Sequence, residues 1–247
     1  MIKRLLLILF FAGVLTTLAY CTITFDTTSK GTLDTTATSW SLTFPATVDA
    51  GSNRVLIVGL NSEGTNSSTE TMTHTGVTFN GSALTQVGST FKYNTTVPND
   101  YISYWYLLNP AVGTFNIVAS GTKSATTTAY VRAGTIVLQG VKQQAPEASA
   151  TASGSGTALS VPITTLSDNA WIVDLASGAQ GGTILTPEAS QTKRWETITQ
   201  IRGSGSTKPL AVHGSTTMSW TVVSEDWGDF AAAWAPFLQP QTIIMDE

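Results

Sequence analysis

Arg54-Val-Leu-Ile-Val-Gly-Leu60 is an unbroken apolar run, and Ser39-Trp-Ser-Leu-Thr-Phe44 upstream of it alternates apolar with hydroxylated residues. The first is the pattern of a strand covered on both faces. The second, with a period of two, is a strand with one buried face. Working outward, Gly76-Val-Thr-Phe79, Asn80-Gly81 and Ala83-Leu-Thr-Gln-Val87 read as a hairpin, because Asn-Gly tolerates the positive φ angles of a primed turn. Tyr101-Ile-Ser-Tyr-Trp-Tyr-Leu-Leu108 is the most aromatic strand, closed by Asn109-Pro110 and Gly113. Further runs over 114–119, 127–138, 158–163, 170–175, 196–201, 209–212, 216–223 and 230–237 bring the expectation to about 13 strands.

After residue 20 no stretch keeps helical periodicity, and Ala231-Ala-Ala-Trp234 is too short for a helix. Strands without intervening helices predict an all-β fold, a two-sheet antiparallel β-sandwich, jelly-roll-like, filling residues 20–237 as a single domain. The small-residue stretches Ala148–Thr157 and Arg202–Thr207 read as exposed loops within it, and 238–247 as a C-terminal tail.

The N-terminus has another character. Lys3-Arg4, an apolar core over Leu5–Leu15 and the small residues Thr17 and Ala19 form a secretory signal peptide spanning 1–19. The expected location is secreted or cell-surface, with no membrane span once the signal is removed. Cys21 is the only cysteine, which excludes an internal disulfide. As a lipidation site it follows Leu18-Ala19, but Tyr20 stands where a small residue is wanted.

Charged residues make up only 11% of the chain, against about 25% in ordinary soluble proteins. The mature chain carries 10 basic and 16 acidic residues and no basic stripe, so nucleic acid is not an expected partner. Thr, Ser, Asn and Gln must supply the polar surface.

Gly51–Gly59, Val77–Thr85, Tyr104–Gly113, Ala133–Val141, and the closing Met218-Ser-Trp220 with Ala231–Trp234 resemble a β-sandwich module of secreted bacterial and phage-associated proteins. The resemblance spans roughly residues 22–237. It implies a fold and an extracellular setting, and it brings no catalytic signature.

Candidate chemistry is thin. The two histidines, His74 and His213, sit near no nucleophile-elbow pattern and read as surface or strand-end residues. Glu225, Asp226 and Asp229 form the densest acidic stretch, read as a turn whose oxygens could hold Ca²⁺. Glu63, Glu70, Asp100, Asp174, Glu188 and Glu196 are the other carboxylates from which a glycosidase pair would have to come. Of seven tryptophans, Trp40, Trp105, Trp171, Trp220 and Trp234 lie in apolar strands and are assigned to the core. Trp195, after Lys193-Arg194, and Trp227, among acids, are expected at the surface, where aromatic faces stack on sugar rings. Tyr93 and Tyr101, flanking the Asn94–Asp100 loop, join them as candidate ligand-binding residues. Asn66, Asn80 and Asn94 head glycosylation sequons.

The leading expectation is an extracellular, non-catalytic binding module for carbohydrate or a cell-surface polymer. The alternatives are a self-assembling structural subunit of a surface layer, fibre or virion, with Thr242–Met245 as a donor strand, and a glycan-active jelly-roll enzyme.

Overall fold

The computed structural model describes residues 15–64, 70–94, 99–179 and 184–243, with side chains from 21 to 238. Residues 1–14 of the expected signal peptide, Asn66 and Met245 lie outside the described residues. Strand is the only regular element among them, in 17 segments, and every pairing is antiparallel.

In chain order the strands are β1 (Leu15–Tyr20), β2 (Thr24–Thr35), β3 (Ser39–Val48), β4 (Val55–Gly64), β5 (Met72–Phe79) and β6 (Ser82–Ala83). Then come β7 (Thr85–Asn94), β8 (Asn99–Leu108), β9 (Gly113–Lys123), β10 (Ala129–Gln139), β11 (Ala148–Thr164) and β12 (Ala170–Gly178). The last are β13 (Thr186–Pro187), β14 (Thr192–Thr197), β15 (Arg202–Leu210), β16 (Ser215–Trp234) and β17 (Leu238–Ile243).

A central sheet in the order β2-β10-β4-β8-β7 is covered on both faces. β4 explains why: all ten of its residues are buried, as its continuous apolar run requires. Leu56, Val58 and Leu60 face the sheet β3-β9-β5-β6, where they meet Trp40, Leu42, Phe44 and Phe79. Val55 and Ile57 face the opposite way, with Ile102 and Tyr104 of β8, onto Val173, Leu175, Phe230 and Trp234 of the third sheet, β11-β16-β12-β15-β14. The sandwich therefore has a layer beyond the two expected from the sequence. The turn at Asn80-Gly81 forms as read, both residues having positive φ, 49° and 77°, but only Ser82 and Ala83 pair back with β5; from Thr85 the chain leaves to pair with β8 in the central sheet.

β11 and β16 form one long ribbon that bends over the third sheet. Gly156 pairs with Glu225 but Ala158 pairs with Thr221, an irregularity at the bend, and Gly156 adopts φ 109°, which a side chain disfavours. Beyond it the outer half lies on the face of the inner half, burying Val161, Ile163 and Met218 against Ile172, Ala231 and Ala233. β13 pairs with Thr221 and Trp220 on the other side of this flap.

Both stretches expected to be exposed loops are strand. Residues 148–156 are the inner half of β11, and Arg202–Thr207 begin β15, where Arg202 to Thr207 are all buried in mid-sheet. Their glycines and serines leave room for large groups from neighbouring strands: a side chain at Gly203 would meet Asn61, and one at Gly205 would meet Trp195. Residues 216–223 and 230–237, read as separate strands, are largely one, β16. At the ends, β17 pairs antiparallel with β1, so the tail is strand as far as Ile243 and its partner runs across the expected cleavage point after Ala19.

Candidate functional site

The four aromatic residues expected at the surface are buried, with exposures of 5% for Trp195, 7% for Trp227, 7% for Tyr93 and 6% for Tyr101. The cause in each case is a small partner or a polar anchor. Trp195 lies against Gly134 of β10 and Gly205 of β15, filling space that any side chain there would take. Trp227 packs on Gly154 and under the flap residues Leu159, Trp220 and Val222. The Tyr93 ring covers Gly228, and its hydroxyl lies 2.7 Å from Ser177 Oγ. Tyr101 turns to the opposite face of the central sheet and donates its hydroxyl to the Glu70 carbonyl at 3.0 Å. The four are spread over three separate packing clusters and form no shared platform.

The acidic stretch is strand rather than turn, so its side chains alternate and do not converge. Glu225 forms a buried ion pair with Arg202 that lies over Gly178. Asp229 is fully buried on the same face as Asp174, and Asp226 faces the other way, within electrostatic reach of Asp100. Among the described residues no group of three or more His, Cys, Asp or Glu is placed to hold a metal ion. Of the three acidic residues, Asp226 thus lies on the opposite face of the strand from Glu225 and Asp229.

Asp174 is the hub of the polar layer beneath the flap. Its Oδ1 accepts from Ser206 Oγ at 2.5 Å and Ser206 N at 3.1 Å, and its Oδ2 accepts from Trp220 Nε1 at 2.7 Å. Burial still pushes its carboxyl up, to about 6, those bonds opposing the shift. Burial, with Asp174 nearby, holds Asp229 well above the usual carboxylate range. Between the central and third sheets burial likewise raises Glu63, to about 7, and Asp100.

His74 is not at the surface as its sequence context suggested. It is buried, with Nε2 2.8 Å from Ser62 Oγ and Nδ1 2.6 Å from Ser103 Oγ, its ring edge-on to Trp40. Desolvation lowers it to about 3, so it is neutral at physiological pH. His213 is exposed, as read, with Nδ1 2.7 Å from Asp168 Oδ1.

The accessible feature is a groove where two sheet edges run side by side. β2 ends the central sheet and β14 ends the third. Two adjoining hollows of about 470 Å³ each lie between them and share Lys30, Glu196 and Ile198. Thr28 and Ser29 line one, Thr32, Thr43 and Thr199 the other, and buried Trp195 reaches the floor of the first. A bulge in β14 between Lys193 and Trp195 turns Arg194 towards β2, where its guanidinium stacks 4.0 Å from the centre of the Phe25 ring. Arg194 Nε also donates to Thr207 Oγ1 at 2.9 Å. Lys30 Nζ donates to the Glu196 carbonyl at 2.9 Å, across the gap. The Glu196 carboxylate is occupied by Lys193, 2.8 Å away, and by the Leu185 N–H at 2.8 Å. Arg132, bonded to Asp34 at 2.7 Å and to the Thr199 carbonyl at 3.0 Å, pins the turn that walls one end. The groove thus presents hydroxyls and the cations Lys30, Lys193 and Arg194 around one carboxylate, on a chain of net charge −4.

Of the residues singled out from sequence, Trp195 and Glu196 reach this groove. Lys30, Thr28 and Ser29 were missed because β2, with Thr, Ser, Asp and Lys through its length, carries no apolar alternation strong enough to mark a strand. Trp171, assigned to the core, is the one tryptophan that is only partly buried, beside Ile23 and Pro209 at the sheet end. The clue was the turn residue Asn169 just before it, which has φ 58°.

No protein-family model, curated protein or solved structure matches this chain.

Proposed function

We propose that this protein is an extracellular, non-catalytic binding module for a carbohydrate or another cell-surface polymer, and that the polymer lies along the β2–β14 groove. The observation that carries the proposal is the groove itself: an open-sided channel built from two strand edges, lined with hydroxyls and an excess of cations. Hydroxyls match the hydrogen-bonding groups of sugars, and the cations favour a polymer bearing carboxylate, sulfate or phosphate. The signal-like N-terminus supports the extracellular setting.

A hydrolytic role has less support. Asp174, Asp229 and Asp100, whose proton affinities are raised, are fully enclosed, and an acid–base pair must reach its glycosidic bond. Calcium is no part of the proposal, since Asp226 faces away from Glu225 and Asp229.

A screen of the purified chain against neutral and acidic polysaccharides tests this reading. Saturable binding to an acidic polymer that weakens as salt rises is the expected result. Binding that is equal for Lys30→Glu would remove the groove from the account.

A further inference from the structure

β11 closes the third sheet on the side opposite β14, and among the described residues its outer edge pairs with no strand. At 17 residues it is a long edge. Natural sheets blunt such edges with charge, proline, bulges or a cover. The other long edges here carry those devices: β2 has Asp26, Lys30 and Asp34, β7 has Lys92 and two register shifts, and β3 has Pro45. The outer half of β11 has Pro162, which offers no N–H. The inner half has no charge or proline; its only irregularity comes at its end, after Gly156, and β7 across the sandwich lines a hollow with Ser149, Ala150 and Thr151 without pairing with them. Ala148 to Gly156 reads Ala-Ser-Ala-Thr-Ala-Ser-Gly-Ser-Gly, without charge, proline or any side chain larger than threonine. Its alanines turn towards the core under the flap, while Ser149, Thr151 and Ser153 are exposed.

Along the free edge of an antiparallel strand, alternate residues direct N–H and C=O outward. We infer that residues 148–156 are a self-pairing edge, through which two copies of this chain join β11 to β11, antiparallel about a twofold axis. Such an axis sets a strand against its own reversed sequence, so any charge it carries meets a like charge or lies close to one. This segment has none to repel, and its small alternating side chains keep both faces flat for a matching strand. The grooves lie at the far edges of the third sheets and stay open in the pair, so a dimer would hold a long polymer at two points.

Sedimentation velocity on the full chain tests the inference, under reducing conditions so that Cys21 forms no cross-link. The expected result is a dimer at about 100 μM, within reach of a modest interface, and monomers for Thr151→Lys and for Thr151→Asp. Both variants should melt as the wild type does, because Thr151 is exposed; Ser153→Lys is the second position on the same edge. Mixing the Lys and Asp variants should restore the dimer, since opposite charges then meet across the axis. A wild type that stays monomeric, a dimer that survives both substitutions, or a mixture that stays monomeric would each overturn it.

Discussion

Trp220 of the flap donates its indole N–H to the Asp174 carboxylate at 2.7 Å, joining the outer half of β16 to the face of β12 beneath it. A buried carboxylate that loses a donor keeps its desolvation cost, so Trp220→Phe, which preserves most of the ring, should destabilise the protein by about 1–3 kcal/mol. Denaturant unfolding measures this. A Phe variant as stable as the wild type would show that the bond contributes nothing to holding the flap.

The buried carboxyls set a direction for pH. Burial raises Glu63 to about 7 and Asp174 to about 6, and holds Asp100 and Asp229 well above their usual range. Each binds its proton more tightly folded than unfolded, so its stabilisation is complete below the unfolded pKa of about 4 and is lost as pH rises through the folded value. His74 acts in the opposite sense. Lowered to about 3, it contributes stability above its unfolded pKa that is lost as pH falls. Above about pH 6.5, where an unfolded histidine is already neutral, the carboxyls act alone. The melting temperature should therefore fall from about pH 6.5 to about pH 8, and Glu63→Gln should flatten that slope. A flat or rising profile in the wild type would contradict the burial of these groups.

Trp195 fills the space left by Gly134 and Gly205, so both sides of that contact are testable. Trp195→Ala should cost about 3–5 kcal/mol by leaving a cavity between the central and third sheets. Gly134→Ala should cost about 1–3 kcal/mol for the opposite reason, overpacking, because its methyl group would fall inside the indole. Calorimetric melting of the two variants checks this. A Trp195→Ala protein of unchanged stability would restore the surface position read from the sequence.

The Arg202–Glu225 pair has both side chains fully buried. Glu225→Gln should destabilise by about 3–5 kcal/mol, since the guanidinium loses its counter-charge inside the protein. Replacing both with apolar residues, as in Arg202→Met with Glu225→Leu, should recover much of that loss. If the double variant is no more stable than Glu225→Gln alone, the pair is coupled to more of the polar layer than Gly178 and its neighbours.

The sequence was most legible where burial is two-sided or a turn demands a special backbone. The apolar run of β4 and the turn at Asn80-Gly81 formed as read. It was least legible where small polar residues sit in mid-sheet. The start of β15 reads as an exposed loop because Gly203 and Gly205 yield their space to Asn61 and Trp195, and that exchange involves residues far apart in the chain. The same exchange explains the misplaced aromatics. A tryptophan flanked by charges reads as exposed unless the glycine opposite it is known, and no local pattern connects Trp195 to Gly134. The groove needed two edge strands from different sheets, and one of them, β2, is polar but for Phe25 and Leu33.

The most direct test of the account is isothermal titration of wild type and Lys30→Glu with an acidic polysaccharide that binds, at low and at raised salt. Lys30 is an exposed edge residue, so the variant should keep the wild-type melting temperature. The expected result is a loss of affinity of about tenfold or more, as removal of a favourable charge and introduction of an opposing one imply, with a weaker salt dependence in the variant. Equal affinity and equal salt dependence for the two proteins would place the polymer elsewhere and contradict the central claim.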